Sequence, residues 1–203
     1  MTYAWSAFLF EARLQGPWIG WNLLLAVVPG LGALALFKWP RRRGVMWWAG
    51  AGVVALMLPN APYVLTDLIH LRPDIHYAPS RAAVLVGVLP LFLVLFAGGV
   101  LSYSCTLYLL RKELQRRGWS LRRRVGAEAL VDVVCAVGVA LGRLPRLNSW
   151  DVLRPDRILA GLGILAHDPR SVFLSLVAIV SVSLAVEWIV SSAADARRAR
   201  RHR

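Results

Sequence analysis

Long runs of apolar residues alternate along the chain with short basic or mixed polar stretches. Five runs are long enough, or nearly so, to cross about 30 Å of hydrocarbon as helices. They lie at roughly 18–37, 45–64, 83–110, 125–142 and 171–191. Because lipid offers no partner for unpaired backbone groups, each crossing segment is expected to be helical. The pattern therefore predicts an all-α polytopic membrane bundle of about five transmembrane helices, one domain over 1–196, and a basic tail over 197–203.

The composition agrees with this class. Hydrophobic residues make up 58% of the chain and charged residues only 17%, against about a quarter in an ordinary soluble domain. The net charge of +13 raises the possibility of nucleic-acid binding, but the distribution of the charge argues against it.

Lysine and arginine concentrate in alternate loops. Four lie in 38–44, seven in 111–124 and five in 197–203, so these three segments hold sixteen of the 24. The positive-inside bias then predicts an N-terminus outside and a C-terminus in the cytoplasm. The expected partners of the cytoplasmic basic loops are membrane lipids with anionic headgroups, and no nucleic acid is expected.

The second apolar run ends in an unusually polar motif, LPNAPYVLTDLIHL (58–71). Pro59 and Pro62 should break the helix, and Asn60 is placed to cap a new turn. A helix from Tyr63 would carry four polar residues on one face: Tyr63, Thr66, Asp67 and His70. That face belongs either to an interfacial amphipathic helix or to the last turns of the span, lining a polar cavity. Asp67 and His70 could form an acid–base pair or supply two metal ligands, although no complete metal site is predicted.

A second polar motif, GRLPRLNSWDVLRPDR (142–157), follows the fourth run and is predicted to lie on the same outer side. Asn148 or Ser149 can cap a short helix that runs into Asp151. Arg143 and Arg146 stand just past the apolar edge, on the side where positive charge is disfavoured. They suit phosphate or carboxylate recognition, or else pair with Asp67 and Asp151 to hold two spans together.

Three carboxylates lie within or beside spans: Glu128, Asp132 and Glu187. Acidic residues inside a membrane often have a function, and here they could form a path for protons. We favour salt bridges, with Arg122–Arg124 neutralising the first two. Gly138 and Gly142 form a small-xxx-small pair, which predicts close helix packing.

The two motifs, NAPYVLTDLIHL (60–71) and GRLPRLNSWDVL (142–153), together with the early WNLLLAVVP (21–29), resemble an uncharacterised family of bacterial integral membrane proteins, domain of unknown function 1361. The resemblance covers most of the chain. It implies a bacterial inner-membrane location and a composite outer site. The site residues so implied are Asn60, Tyr63, Asp67, His70, Arg143, Arg146, Asn148 and Asp151, to which the residue pattern adds the hydroxyls of Thr66 and Ser149.

Three functions fit these residues. The outer site binds an anionic lipid headgroup, a lipid-linked intermediate or an envelope partner. Alternatively, the protein is a membrane-embedded enzyme acting on a lipid-linked substrate, with Asp67 and His70 as acid and base. The third reading is a small transporter, which the absence of an internal repeat disfavours. The sequence assigns no cofactor.

Overall fold

The computed structural model describes residues 2–38 and 44–201. For residues 2–8, 10–12, 14, 187 and 190–201 it describes the backbone alone. Most of the basic loop predicted over 38–44, the end of the tail at 202–203 and the side chain of Glu187 therefore lie outside the described part.

Helices account for nearly all of the described residues. In chain order they are α1 (Thr2–Lys38), α2 (Val45–Met57), α3 (Asn60–Tyr63), a 3₁₀ segment (Val64–Asp67), α4 (Leu68–Tyr77), α5 (Arg81–Ala83), a π-helical segment (Val84–Val88), α6 (Leu89–Arg116), α7 (Leu121–Arg143), a second 3₁₀ segment (Ser149–Leu153), α8 (Pro155–His167) and α9 (Pro169–Arg201). Over residues 2–38 and 44–201 no strand is found, so the all-α prediction is confirmed there.

Five helical stretches are long and apolar enough to cross a membrane. They are Gln15–Lys38, Val45–Tyr77, Arg81–Arg116, Leu121–Arg143 and Pro169–Val186. The five predicted spans are thus confirmed, and the chain has the build of a multi-pass membrane protein. The orientation of the termini stays a prediction.

The second span is interrupted where the prolines stand. Pro62 has no N–H, and the N–H of Ala61 bonds the carbonyl of Leu58 at 3.0 Å instead of the carbonyl of Met57. The side chain of Asn60 supplies a donor to that Met57 carbonyl, at 3.0 Å. Asn60 therefore does not cap a new turn as predicted. Instead, it donates to the Met57 carbonyl, which has lost its helical hydrogen bond at the break. An unpaired carbonyl would be unfavourable in an apolar environment.

The interrupted stretch packs against several neighbouring helices. Ala61 belongs to a core cluster with residues of α6, α7 and α9, whereas Val64 belongs to a second cluster with residues of α1 and α6. Ala61 and Val64 are 0% and 1% exposed, and α2 before them has no buried residue. The motif is thus the buried end of the span, and the membrane-surface helix with a solvated face is wrong for 60–67.

Glycines on the neighbouring helices make room for this stretch. A Cβ on Gly99 of α6 would collide with the carbonyl oxygen of Ala61 and stand 2.5 Å from Val64. On α7, a Cβ on Gly138 would stand 2.7 Å from Pro59, and Gly142 faces the ring of Tyr63. The small residues predicted to allow close helix packing therefore accept the broken end of the second span within the same chain.

The first and third spans meet through a serine. Ser102 of α6 is buried, and its Oγ accepts a hydrogen bond from the backbone N–H of Gly30 at 2.9 Å. A Cβ on Gly30 would stand 2.6 Å from that oxygen, so the glycine is what lets the two helices approach.

The intramembrane carboxylates bind to α6. Glu128 accepts two hydrogen bonds from the guanidinium of Arg111, the Nε bond at 2.7 Å. The salt-bridge expectation is confirmed for Glu128 alone, and its partner was wrong: Arg111, on the facing helix, takes the place assigned to Arg122–Arg124. Asp132 accepts a hydrogen bond from the Tyr103 hydroxyl at 2.6 Å. Both carboxylates therefore join α6 to α7, which is a structural role.

We predict that Gly99→Ala destabilises the protein by about 1–3 kcal/mol, the usual cost of overpacking a core. The reason is that the added methyl meets a backbone carbonyl, which cannot rotate away. The midpoint of thermal unfolding in detergent measures the effect. Gly52→Ala is the matched control, because nothing lies within 4 Å of its Cβ position. Equal midpoints for the two variants would contradict the packing.

Candidate functional site

The two polar motifs meet at one end of the bundle. The side-chain amide of Asn60 donates to Oγ of Ser149 at 2.9 Å, across 89 residues of sequence. Close by, the ring of Tyr63 packs on Gly142, the second-last residue of α7. The side chain that satisfies the break in the second span is thus also the one that ties it to the loop after the fourth.

The chain turns sharply after α7. The N–H of Leu144 bonds the carbonyl of Ala140 at 2.9 Å, and the N–H of Leu147 returns to the carbonyl of Leu141 at 3.1 Å. Inside this turn Arg146 has φ 56°, and no other non-glycine residue of the described chain has a positive φ. An L-residue in this left-handed region carries a strain of roughly 1–2 kcal/mol, which glycine would avoid.

Both arginines of the turn are exposed. Nη1 of Arg143 donates to the backbone carbonyl of Thr66 at 3.4 Å. Tyr63 lies close to the start of this turn, because its ring packs on Gly142. Within the described part of the chain neither arginine makes an ion pair, so the clamp of paired charges to Asp67 and Asp151 is not formed.

Asp67 is 4% exposed, and its Oδ2 is sealed from solvent without a hydrogen-bond partner among the described residues. Arg143 acts on it electrostatically without closing to an ion pair. The hydroxyl of the preceding residue, Thr66, donates to the carbonyl of Tyr63 at 2.7 Å. A buried carboxylate oxygen without a donor is costly and rare in folded proteins.

His70 turns away from Asp67. It is exposed, and its ring makes an edge contact with Trp18 of α1 at a centroid distance of 5.3 Å. The predicted polar face assumed an α-helix throughout, but Val64–Asp67 is a 3₁₀ turn. Four residues at three per turn shift the register by about 80° relative to an α-helix. No hydrogen bond or ion pair joins His70 to Asp67 in the described structure.

Asp151 organises the loop itself. Its Oδ2 accepts the backbone N–H of Asn148 at 2.8 Å, and its Oδ1 accepts Nη1 of Arg157 at 3.0 Å. Asn148 is thus the residue before the second 3₁₀ segment, as predicted. The hydrogen bond from Asn148, with the bond and charge of Arg157, lowers the pKa of Asp151.

Sequence reasoning missed Arg157 and Trp18. Arg157 stands six residues after Asp151, across a 3₁₀ turn and the start of α8, a separation that no helical period indicates. Trp18 precedes His70 by most of two spans, and only the antiparallel course of α1 and the second span would have placed them together. A further histidine and aspartate, which follow one another at the end of α8, make local hydrogen bonds: His167 with the Gly163 carbonyl, and Asp168 as acceptor from the Ser171 hydroxyl.

Metal binding has no complete ligand set in the described part. Among those residues, no group of three or more His, Cys, Asp and Glu side chains is arranged to hold a metal ion. The geometry here offers two exposed guanidinium groups, one buried carboxylate and a tyrosine hydroxyl, which together can bind an anion that also carries a donor.

Residues 21–184 match the model of one protein family, described as "Protein of unknown function (DUF1361)". The match includes both polar motifs and most of the chain, so the protein belongs to this family. No curated protein and no solved structure matches the chain.

We predict that Asn60 and Ser149 are energetically coupled. In a double-mutant cycle with Asn60→Ala and Ser149→Ala, denaturant unfolding in detergent should give a coupling of about 0.5–1.5 kcal/mol, the range of one hydrogen bond. Asn60→Ala should cost more than Ser149→Ala, since it also frees the Met57 carbonyl. Ser171→Ala removes a comparable hydroxyl elsewhere and should show no coupling to Asn60. Additive effects for the first pair would contradict the contact.

We also predict that the loop loses stability in acid. Because the folded pKa of Asp151 lies below its ordinary value of about 3.9, its contribution is present above pH ~4 and is lost as the pH falls through the folded pKa. Asp151→Asn should make stability less dependent on pH below ~4 than in the unsubstituted protein. Unfolding midpoints between pH 5 and pH 2.5 measure this, and parallel profiles would contradict it.

Proposed function

We propose that this member of the family of unknown function is a multi-pass protein of the bacterial inner membrane, and that Arg143 and Arg146 bind an anionic lipid headgroup at its outer surface. In this proposal the N-terminus lies outside and the C-terminus in the cytoplasm, as the loop charges predict. The same guanidinium chemistry would serve a lipid-linked intermediate.

The observation that carries the proposal is the backbone of Arg146. A turn that needs φ 56° is most easily made by glycine, and an arginine there is strained. Strained residues of this kind cluster at binding sites and switches. The strain is accounted for if the guanidinium contributes through a ligand.

The surroundings of the arginines support an anion. Arg143 and Arg146 are exposed at the end of a span, without a carboxylate ion pair in the described structure. The carboxylate of Asp151, in the same loop, is occupied by Arg157 and the backbone of Asn148. Guanidinium groups bind phosphate bidentately and stay charged at any physiological pH. Two such groups at the edge of an apolar bundle fit a phosphate at the depth of lipid headgroups.

Binding is favoured over the enzyme reading for a specific reason. The acid–base pair would need Asp67 and His70 to face one substrate, whereas Asp67 is buried and His70 is exposed beside Trp18. The hydroxyls of Thr66 and Ser149, which a nucleophile would require, are both engaged in hydrogen bonds. The transporter alternative is not supported by the intramembrane acids. Glu128 and Asp132 form hydrogen bonds between α7 and α6 and do not outline a transport path.

We predict that Arg146→Gly separates stability from binding. The variant should unfold at the same temperature as the unsubstituted protein or at a higher one, because glycine relieves the strain. Its affinity for phosphatidylglycerol, titrated in detergent micelles and measured by native mass spectrometry, should fall roughly tenfold, the effect of one charge-assisted contact.

The control is Arg170→Ala, which removes an exposed arginine of the same predicted side outside the site. It should leave the affinity unchanged. If Arg146→Gly unfolds at a lower temperature and binds phosphatidylglycerol as before, Arg146 is structural and the proposal is wrong. A reporter fused after Arg203 that proves extracytoplasmic would likewise overturn the outer placement of the site.

A further inference from the structure

The buried carboxylate of Asp67 belongs to the same site as the two arginines. Arg143 hydrogen-bonds the carbonyl of Thr66, the residue directly before Asp67, and the charge of Arg143 acts on the Asp67 carboxylate. An anion held by Arg143 would therefore lie next to the turn that carries Asp67.

That carboxylate needs a donor that the described chain does not provide. Oδ2 of Asp67 is sealed from solvent and unpartnered, in a residue that is only 4% exposed. Two neighbouring groups donate elsewhere: the Thr66 hydroxyl to the Tyr63 carbonyl and Nη1 of Arg143 to the Thr66 carbonyl. Leaving a buried acceptor without a donor costs on the order of 1–3 kcal/mol, more when it is charged.

The charges of the site narrow the ligand further. Two guanidinium groups outnumber the one carboxylate, so the site favours an anion, and a phosphodiester of charge −1 has the right sign. A ligand with phosphate alone would bring its negative oxygens close to Asp67 and be repelled by it. A ligand whose phosphate carries a hydroxyl or ammonium substituent can place the phosphate on the arginines and the O–H or N–H on the carboxylate.

We infer that the site recognises a phosphodiester lipid headgroup with its own O–H or N–H donor, and that Asp67 is the residue that selects for the donor. This inference rests on the proposed function, because Arg143 and Arg146 must hold the phosphate. It adds a specificity that the arginines alone do not have, since they bind any phosphodiester of the same charge.

The test compares two lipids of equal charge. Phosphatidylglycerol has hydroxyl donors on its headgroup, whereas phosphatidylmethanol has the same single negative charge and none. Each is titrated into the purified full-length protein in detergent, and the dissociation constants are measured by native mass spectrometry. The unsubstituted protein should bind phosphatidylglycerol roughly tenfold tighter, the discrimination expected from a hydrogen bond to a charged group.

Asp67→Asn keeps the shape of the side chain and removes its charge, and it should bring the ratio of the two dissociation constants close to one. Asp74→Asn makes the same change on α4, away from the arginines, and should keep the roughly tenfold ratio. In a second pair, phosphatidylethanolamine, which has N–H donors, should bind more tightly than phosphatidylcholine, which has none. This second pair shows whether an ammonium N–H can serve as the donor, whereas the first pair tests a hydroxyl.

Two failures are distinguishable. If the unsubstituted protein binds phosphatidylglycerol and phosphatidylmethanol equally, and Arg146→Gly weakens both, the arginines hold a phosphate but Asp67 does not select a donor, so this inference alone is overturned. If Arg146→Gly changes neither affinity, the proposed function fails with it. Because the comparison of two lipids on the unsubstituted protein needs no variant, it decides the inference even where Asp67→Asn does not fold.

Discussion

The break in the second span is the constraint on which the rest of the structure depends. Two prolines interrupt the second span among buried residues such as Leu58 and Ala61, where a freed carbonyl has no water to bond. Asn60 meets this requirement with one side-chain amide that reaches both the Met57 carbonyl and Ser149. The same group that makes the break tolerable therefore fixes where the distant second motif lies.

From the break outward, packing determines the position of the site. The stretch that follows Pro59 fits between α6 and α7 because glycines on both helices leave room for it, and its apolar residues join two core clusters. With Ala61 and Val64 fixed in these clusters, the short 3₁₀ turn carries Asp67 inward. The arginines, in contrast, lie on a turn closed only by backbone hydrogen bonds. This arrangement suits a binding site, because a buried acceptor is held by packed helices and exposed cations lie on a turn beside them.

Much of this could be predicted from the sequence, and the remainder could not for identifiable reasons. The apolar runs predicted the five spans because the thickness of hydrocarbon leaves few alternatives. The polar motifs were found because charge and amide groups are rare in such runs. The orientation of His70 was not predictable, since a 3₁₀ turn and an α-helix carry the same hydrophobic pattern over four residues but differ in register. The partners Arg111 and Arg157 were missed because an ion pair between elements depends on helix contacts, which no local spacing encodes.

Two energetically unfavourable features remain in the folded chain, and both lie in the polar motifs that meet at one end of the bundle. Arg146 carries a strained backbone where glycine would relax it, and Asp67 keeps a sealed oxygen without a donor. A site whose only task is to hold helices together would be expected to lack such costs, since Asn60, Ser149 and the glycines already make that connection. Local violations of good packing and hydrogen bonding concentrate where a protein meets its ligand. One is an exposed cation and the other a buried acceptor, so a single ligand that carries both a phosphate and a donor is the kind of ligand that would offset both. The coincidence of these two features, more than either residue alone, is the reason for proposing the binding site at this end of the bundle.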